Sequence, residues 1–471
     1  MLPAPQNYAI YPSIVLADTC TQMTIIPQER AFLLREGEEY QLCIISINDD
    51  ETSYYFPSAR HEISAVAHRG VLQFSFTFPE EQPHLIILSQ GETKLGEWTI
   101  YSLQEDLYAL RPLKGDLHTH SYRSDGKRDP AALAGHFREQ GYEFFALTDH
   151  NRYYPGGEID EAYQGVQKGI TRVYGEEVHT PDSVIHIVHV GGKSSVTELY
   201  LNHREEYEHD VAEYMKKIPD HVPAQYHDRY AKAMWAVDKI HQAGGLAIFP
   251  HPFWRPRKSQ NYNVREEFAR ILLSSGLFDA YELVGGMGQD GNNCSVAMWA
   301  DLRSEDLKIS VVGSSDVHSM ENSHTFGHLF TLCFARENSN DAIIEAVKKG
   351  MSVAVEASGD EERRQHRCYG SLRLVRYAQY LLKYYYPRLQ RICQGEGVAM
   401  RAYAMGEAPK ELIEMQAAQA ENFSRCFLGK EPPVLPSDEI LAFEEKWRAV
   451  QLSGPQTKGS GVNAPPVTMQ I

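Results

Sequence analysis

The chain has 471 residues, of which 42% are hydrophobic and 23% charged, and its net charge is -17. These values predict a folded, soluble chain of two or three domains, and the negative charge argues against a binding groove for a nucleic-acid polymer. The sequence has neither a secretory signal nor an apolar stretch of roughly 18 residues, and its seven cysteines form no C-x-x-C pair, so we predict a cytoplasmic protein with free thiols and no membrane contact.

Residues 1–110 contain short apolar runs that are separated by turn-rich breaks. Runs such as YQLCIISI, VLQFSFTF and HLIILS alternate with breaks such as NDDETS and EEQP. This spacing is typical of an all-β, sandwich-like domain. The region contains no group of catalytic residue types, so we predict a structural or oligomerisation domain, with a ligand-binding module as the alternative.

Residues 111–357 change to a pattern in which strands alternate with helices. The segment DPAALAGHFREQG, for example, begins with Asp129 as a helix cap and Pro130 at the first helical position, and it ends at Gly141. The repetition predicts an α/β barrel of parallel strands, with polar residues at the strand ends where such barrels place their active sites. Residues 193–243 form an insertion, predicted as a lid over the site or, alternatively, as a solvated helical excursion.

The remaining residues divide into two further regions. Residues 358–430 have apolar side chains at helical spacing and predict a helical appendage that packs on the barrel. Its Arg, Lys and Tyr residues suggest an RNA contact as a less favoured alternative. Residues 431–471 have the composition of a disordered tail.

Histidines and acidic residues recur at the ends of the apolar runs. His118 and His120 stand one residue apart in GDLHTHSYRSDG, so they point to the same face of an extended segment and make half of a metal site. An isolated H-x-H is weak support for a metal site, but further residues of these types follow in TDHN, GEE, VIH, FPHP and SSDVH. Such imidazoles and carboxylates are donors for Zn, Mn or Fe. The nine candidate ligands are His118, His120, Asp125, His150, Glu177, His186, His251, Asp316 and His318.

The motifs HTH, SDG, TDHN, GEE, HIV, FPHP and SSDVH, in this order, resemble the polymerase-and-histidinol-phosphatase (PHP) superfamily of metal-dependent phosphoesterases over roughly residues 114–356. The resemblance implies a distorted (β/α)7 barrel that holds two or three divalent metal ions. The β-rich region that leads into the barrel is also similar to the layout of carbaryl-hydrolase-type metallohydrolases. The ligand sets that the resemblance implies are His118, His120, Glu177 and Asp316 for one ion; Glu177, His186 and His251 for a second; and Asp125, His150 and His318 for a third.

Several neighbouring residues are expected to lie outside the ligand set. In GEEVHT the resemblance favours Glu177 over Glu176, which alternation places on the opposite face of a strand. We expect His189 to support a ligand or to pack in the core. His179, His324 and His328 are expected to be hydrogen-bonded structural histidines.

The ligand set predicts hydrolysis by a metal-activated hydroxide, because metals that share a carboxylate lower the pKa of bound water. Asp316, His318 and Arg152 are the candidate catalytic residues. Arg123, Arg152 and Arg255 are the candidate substrate-binding residues, each with a surface ion pair as the alternative. The sequence therefore predicts a phosphoesterase acting on a small phosphorylated substrate. A carbamate or carboxylic ester hydrolase with the same metal centre and a non-catalytic metal-binding scaffold are the alternatives.

Overall fold

A computed structural model describes residues 7–47, 60–256, 259–321, 323–359 and 364–453. The chain divides into two compact units. The α/β unit contains the segment Leu103–Glu431, and the β unit combines Pro3–Ser102 with the segment that begins at Pro432. Within the described part of the chain, no helix is long and apolar enough to cross a membrane.

The β unit is built on one sheet of eight strands. These strands are β1 (Tyr8–Tyr11), β2 (Ile14–Leu16), β3 (Cys20–Pro27), β4 (Glu39–Ser46), β5 (Arg60–His68), β6 (Val71–Thr77), β7 (Pro83–Gln90) and β8 (Thr93–Leu103). Their order in the sheet is β1-β3-β6-β5-β4-β7-β8-β2. A single turn of 3-10 helix, Arg30–Phe32, precedes β4.

The sheet of the β unit turns a corner at β5. This strand pairs antiparallel with β4 over most of its length and with β6 only at its last two residues. Ile25 and Leu72 on one side of the corner and Ile44 and Leu88 on the other belong to the same hydrophobic cluster. The eight strands therefore form one continuous, barrel-like sheet around a shared core. The sandwich arrangement remains a prediction.

The α/β unit contains eleven strands in its described residues, arranged in two sheets. They are β9 (Arg111–Asp116), β10 (Phe144–Ala146), β11 (Thr171–Val173), β12 (Gly175–His179), β13 (His186–Val190), β14 (Leu246–Phe249), β15 (Ala280–Val284), β16 (Ser310–Gly313), β17 (Leu329–Ala335), β18 (Ser352–Ser358) and β19 (Gln365–Tyr369). One sheet has the order β11-β10-β9-β17-β18-β19 and the other the order β12-β13-β14-β15-β16.

The two sheets of the α/β unit enclose one core and form a mixed, barrel-like arrangement. Parallel bridges join Thr119 to Val317 and His150 to Glu177, between the strand ends of the two sheets. Strands β9–β11 and β14–β16 pair in parallel, but β12–β13, β13–β14, β9–β17 and β17–β18 pair antiparallel. The prediction of parallel strands throughout is therefore wrong. Between β12 and β13 the reason is the connection, residues 180–185, which is too short for a crossover helix.

The helices of the α/β unit follow the strands in sequence. Their bounds are α1 (Glu105–Tyr108), α2 (Pro130–Glu139), α3 (Pro155–Ala162), α4 (Thr197–Asn202), α5 (Arg204–Met215), α6 (His227–Gln242), α7 (Glu266–Ser274), α8 (Gly288–Ser304), α9 (Asn340–Lys348), α10 (Leu372–Tyr384), α11 (Tyr386–Ala404) and α12 (Lys410–Phe427). The predicted start of α2 is confirmed, because the Asp129 carboxylate accepts a hydrogen bond from the Ala132 N–H at 2.8 Å.

The predicted insertion, residues 193–243, contains α4, α5 and α6 and a single 3-10 turn, Ala224–Tyr226. Tyr207 and Trp235 of these helices pack edge to face and join the same hydrophobic cluster as Phe249 of β14. The insertion is therefore anchored to the sheet by a shared apolar core. Its role as a lid remains a prediction.

Helices α10 to α12 occupy the region that was predicted to be helical. Helix α11 crosses α2 closely at Gly135 and Gly397, where a Cβ on Gly397 would lie 2.4 Å from the Gly135 carbonyl oxygen. A buried ion pair joins Arg138 of α2 to Glu396 of α11 at 2.7 Å. These contacts attach the C-terminal helices to the helical layer of the same unit.

The two ends of the α/β unit contact each other. The hydroxyl of Tyr108 in α1 donates a hydrogen bond to the carbonyl of Gly429 at 3.1 Å. Nζ of Lys430 lies 3.7 Å from the centroid of the Tyr108 ring. The segment therefore begins and ends at one place.

Part of the predicted disordered tail is helical. Helix α13 (Asp438–Ser453) belongs to the β unit. Nη2 of Arg69 lies 2.7 Å from Oδ1 of Asp438, Nη2 of Arg448 donates to the Leu33 carbonyl at 3.1 Å, and Arg30 lies over the Phe443 ring. These tertiary contacts, which composition does not reveal, stabilise the helix. The rest of the predicted tail, 454–471, lies outside the described residues.

Candidate metal centre

The nine candidate ligands lie at the ends of strands or in the loops that follow them. His118 and His120 follow β9, His150 follows β10, and His251 follows β14. Glu177 and His186 lie within the antiparallel pair β12–β13, and the loop after β16 carries the last two ligands. All nine meet in overlapping groups whose ligand atoms lie within 4.8 Å of one another. The described groups are His120, Asp125, His150 and His318; His118, His251 and Asp316; His118, His120 and Glu177; Glu177, His186 and His251; and His150, Glu177 and His179.

Glu177 lies at the centre of the cluster. Its Oε1 is 2.9 Å from Nδ1 of His186 and 3.2 Å from Nε2 of His251. Its Oε2 is 3.5 Å from Nε2 of His118 and 3.6 Å from Nε2 of His120. His179 also lies near Oε1, at 3.5 Å, and His150 near Oε2, at 2.6 Å. Each carboxylate oxygen therefore faces three imidazoles, and a carboxylate with ligands on both sides can be shared by two ions.

The other two acids lie on either side of His120. Oδ1 of Asp316 is 3.0 Å from Nε2 of His120 and 3.4 Å from Nε2 of His118. Oδ1 of Asp125 is 3.2 Å from Nε2 of His318, and its Oδ2 is 3.5 Å from Nε2 of His150. Each of the three ligand sets implied by the resemblance is thus brought together around a carboxylate.

Many of these close contacts lack hydrogen-bond geometry. Nε2 of His118, both ring nitrogens of His120, Oε2 of Glu177 and Nδ1 of His186 are buried, and none of them has a hydrogen-bond partner among the described residues. Unpartnered buried polar atoms are costly, and most in proteins are satisfied. A cation bound between these nitrogen and oxygen atoms would account for their close approach without hydrogen bonds. Imidazole and carboxylate ligands suit a divalent metal ion.

The electrostatics of the cluster keep its carboxylates ionised. Burial alone would raise the pKa of Glu177, but the imidazoles of His186 and His118 outweigh it and hold the pKa well below its usual range. Burial lowers the pKa of His150, whereas the carboxylates of Asp125 and Glu177 raise it to about 10. Without a metal ion, His150 is therefore protonated beside these acids, and a bound ion would take the place of its extra proton.

Two histidines are oriented through the ring nitrogen that faces away from the cluster. Nδ1 of His118 lies 2.9 Å from Oε2 of Glu282 in β15, and both side chains are fully buried. Nδ1 of His318 donates to the backbone carbonyl of Asp316 at 2.9 Å. Such contacts fix the tautomer of a metal-binding histidine and leave Nε2 free as a donor. Sequence reasoning missed Glu282, and the only signal was an acidic residue inside the buried strand AYELV.

A further histidine, His179, also lies in the cluster. Its Nε2 is 3.1 Å from Nδ1 of His150 and 3.5 Å from Oε1 of Glu177. A sequence signal for this position exists, because Glu177 and His179 are two residues apart on β12 and share a face, like the two histidines of HTH. His189 lies elsewhere: its Nδ1 is 3.0 Å from Oε1 of Glu176, on the opposite face of β12 and β13.

Backbone conformation at the site is strained. His251 and Asp316 have positive φ angles of 26° and 49°, and Asn151, next to His150, has φ of 53°. Residues other than glycine adopt such angles at an energetic cost that is common at functional sites. The unfavourable angles thus occur at or beside three of the candidate ligands, His150, His251 and Asp316.

The three candidate arginines have different surroundings. Arg123 forms a two-point ion pair with Glu158, with N–O distances of 2.7 and 3.0 Å. Arg255 stacks on the ring of Tyr262 at 4.9 Å. Arg152 is exposed, and its backbone N–H donates to the Asp149 carbonyl beside the cluster.

Comparisons with known proteins give partial matches. No family model matches the chain. It is 28% identical over 265 residues to a 5'-3' exoribonuclease of Haemophilus influenzae, an alignment that covers 44% of this chain and 90% of that enzyme. It is 42% identical over 53 residues to the DNA polymerase/3'-5' exonuclease PolX of Bacillus subtilis, which covers 11% of this chain and 9% of PolX.

One similar solved structure is a two-domain protein from Bacteroides vulgatus that contains a predicted PHP-like metal-dependent phosphoesterase. It is 19% identical with a TM-score of 0.36, and the match covers 52% of this chain and 65% of that one. The motifs that resemble the PHP superfamily converge on one site in the present chain. A solved structure of an amidohydrolase from Chromobacterium violaceum is 18% identical with a TM-score of 0.30, and the match covers 44% of this chain and 89% of that one.

Proposed function

We propose that the chain is a metal-dependent phosphoesterase that hydrolyses a small phosphorylated substrate. The observation that supports this most directly is Glu177, whose two carboxylate oxygens each face three imidazoles within 3.6 Å. Several buried nitrogen and oxygen atoms of this cluster have no hydrogen-bond partner among the described residues. Zn, Mn or Fe ions are the proposed cofactors, two or three per chain. The proposed setting is the cytoplasm, where the seven free cysteines would stay reduced.

We assign the nine ligands to three ions. His118, His120, Glu177 and Asp316 would hold the first, and Glu177, His186 and His251 would hold the second. Asp125, His150 and His318 would hold the third. Bound divalent ions would supply an ionised water at neutral pH and neutralise charge on the phosphate oxygens.

The accessible edge of the cluster is the side of Asp125 and His318. Their side chains are 54% and 36% exposed, whereas His118, His120 and Glu177 have no exposed surface. We infer that the substrate approaches at this edge. Asp316 orients the inner imidazoles, and His318 presents Nε2 beside the carboxylate of Asp125. Arg152 would hold the substrate anion, since an exposed guanidinium suits phosphate binding.

The relatives widen the choice of substrates to be tested. The Haemophilus influenzae protein is named as an exoribonuclease, so a phosphorylated end of RNA belongs in the test beside small phosphate esters. The net charge of -17 favours the small substrates, because a polymer of phosphates is repelled more strongly.

The test combines elemental analysis of the purified protein with a panel of substrates. The panel contains p-nitrophenyl phosphate, its diester, nucleoside monophosphates, a short RNA with a 5′ phosphate, and aryl acetates and carbamates. We expect the purified chain to contain at least two equivalents of metal. We also expect it to hydrolyse phosphate esters, and His118→Ala and Asp316→Ala to abolish this activity. Hydrolysis of acetates or carbamates alone would favour the carbamate or carboxylic ester alternative. Bound metal without any hydrolysis would favour a scaffold.

A further inference from the structure

His150 lies between two parts of the proposed metal centre. Its Nε2 faces Asp125 at 3.5 Å, in the group that also contains His318. Its Nδ1 points the other way, toward β12. If Nε2 binds an ion, the neutral ring must carry its proton on Nδ1, because each neutral imidazole has one donor and one acceptor nitrogen.

The atom placed to receive that proton is Nε2 of His179. It lies 3.1 Å from Nδ1 of His150 with the geometry of a hydrogen bond. Oε2 of Glu177 is closer, at 2.6 Å, but it has no hydrogen-bond partner among the described residues. His179 is therefore the Nδ1 partner of His150. Glu282 has the same role for His118, and the Asp316 carbonyl has it for His318.

The position of His179 is fixed by several contacts. Its register partner across β12 and β13 is His186, and the two rings stack with centroids 3.7 Å apart and planes 23° apart. Its backbone N–H donates to Oδ1 of Asn151 at 2.9 Å, and this oxygen also accepts a hydrogen bond from the Tyr200 hydroxyl. The imidazole is thus held in place before any ion binds.

We propose that His179 is a positioning residue of the metal centre. Its Nε2 accepts the Nδ1 proton of His150 and so holds His150 in the tautomer whose Nε2 binds an ion together with Asp125 and His318. This inference rests on the proposed function, because it requires a metal ion at that group. Partners of this kind raise the basicity of the ligand, and their removal typically lowers metal affinity about 10- to 100-fold.

Two substitutions separate this role from the alternatives. His179→Phe keeps an aromatic ring to stack on His186 but has no acceptor. His179→Gln loses the ring but keeps an acceptor oxygen. The measurements are Co²⁺ and Mn²⁺ affinity and stoichiometry, obtained by titration of the full chain, together with the visible spectrum of the Co²⁺ form.

We expect His179→Phe to weaken the binding of one ion about 10- to 100-fold and to change the Co²⁺ spectrum, and His179→Gln to stay within a few-fold of the wild type. Equal losses in both variants would mean that His179 is itself a ligand. Loss in the Gln variant alone would mean that the ring stack matters. Either result, or unchanged binding in His179→Phe, overturns the proposal.

The same substitutions at His209 serve as a control. This histidine lies in α5 with its side chain 75% exposed, so neither His209→Phe nor His209→Gln is expected to alter metal binding. Failure of the wild-type chain to bind any metal would reject the proposed function. Normal binding by the wild type with no effect at position 179 would reject this inference alone.

Discussion

Oε2 of Glu282 lies 2.9 Å from Nδ1 of His118, and the two side chains have no exposed surface. The carboxylate holds the ring so that Nε2 faces Glu177 and Asp316. We therefore expect Glu282→Gln to lower metal affinity about 10- to 100-fold, because an amide oxygen is a weaker acceptor and adds an N–H that needs its own partner. Titration with Mn²⁺ measures the change. Glu92→Gln, at an exposed position in the β unit, is the matched control and should bind metal as the wild type does.

Removal of metal by a chelator is expected to lower the melting temperature. Without an ion, the buried ring nitrogens of His120 and Oε2 of Glu177 have no hydrogen-bond partner among the described residues, which is unfavourable. A ligand at about 100 times its dissociation constant stabilises a protein by about 2.7 kcal/mol. Differential scanning calorimetry with and without chelator, followed by metal addition, measures the effect. Identical melting in both conditions would contradict a bound ion.

Gly397→Ala is expected to destabilise the contact between α2 and α11. The new Cβ would lie 2.4 Å from the Gly135 carbonyl oxygen and 2.7 Å from Cα of Glu139, and both are backbone atoms that cannot rotate away. We expect the free energy of unfolding to fall by about 1–3 kcal/mol. Urea denaturation measures it.

Gly157→Ala is the control for that substitution. Gly157 lies in α3, and a Cβ there would meet no atom within 4 Å. Because alanine has the higher helix propensity, this variant should gain up to about 1 kcal/mol. Equal effects of the two substitutions would contradict the close helix crossing.

Acidification is expected to destabilise the α/β unit in part through His136. Burial, together with the positive charges of Arg401 and Arg128, lowers the pKa of His136 from 6.5 to about 4. The unfolded chain therefore binds the proton first, so this residue reduces stability as the pH falls from 6.5 to 4. His136→Gln should lose less free energy of unfolding than the wild type over that interval. Parallel curves for the two proteins would show that His136 does not contribute.

The sequence allowed the positions of the metal-binding candidates to be predicted because their signals are local. Histidines and acids at the ends of apolar runs, as in HTH and SSDVH, lie close together at one end of a barrel when the strands before them belong to that barrel. Glu282 had no such signal, since its partner His118 is 164 residues away and their contact depends on the tertiary fold. His179 could have been found, because alternation places it beside Glu177.

The strand directions and the last helix were harder to predict from sequence. The pattern around β12 and β13 is compatible with parallel or antiparallel pairing, and only the short connection between them decides. Helix α13 was missed because the tail was judged by its overall composition. Its contacts, such as that of Arg69 with Asp438, join residues that are far apart in sequence and have no local signal.

The contact of Tyr108 with Gly429 and Lys430 brings the first and last parts of the α/β unit together, as is typical of a domain inserted into another. In sequence, the segment Leu103–Glu431 interrupts the β unit, and the two ends of this segment lie close together. Closing a segment whose ends already touch costs little additional loop entropy. Excision of this segment, its transplantation into a surface loop of another host, or circular permutation with new termini elsewhere should therefore be tolerated.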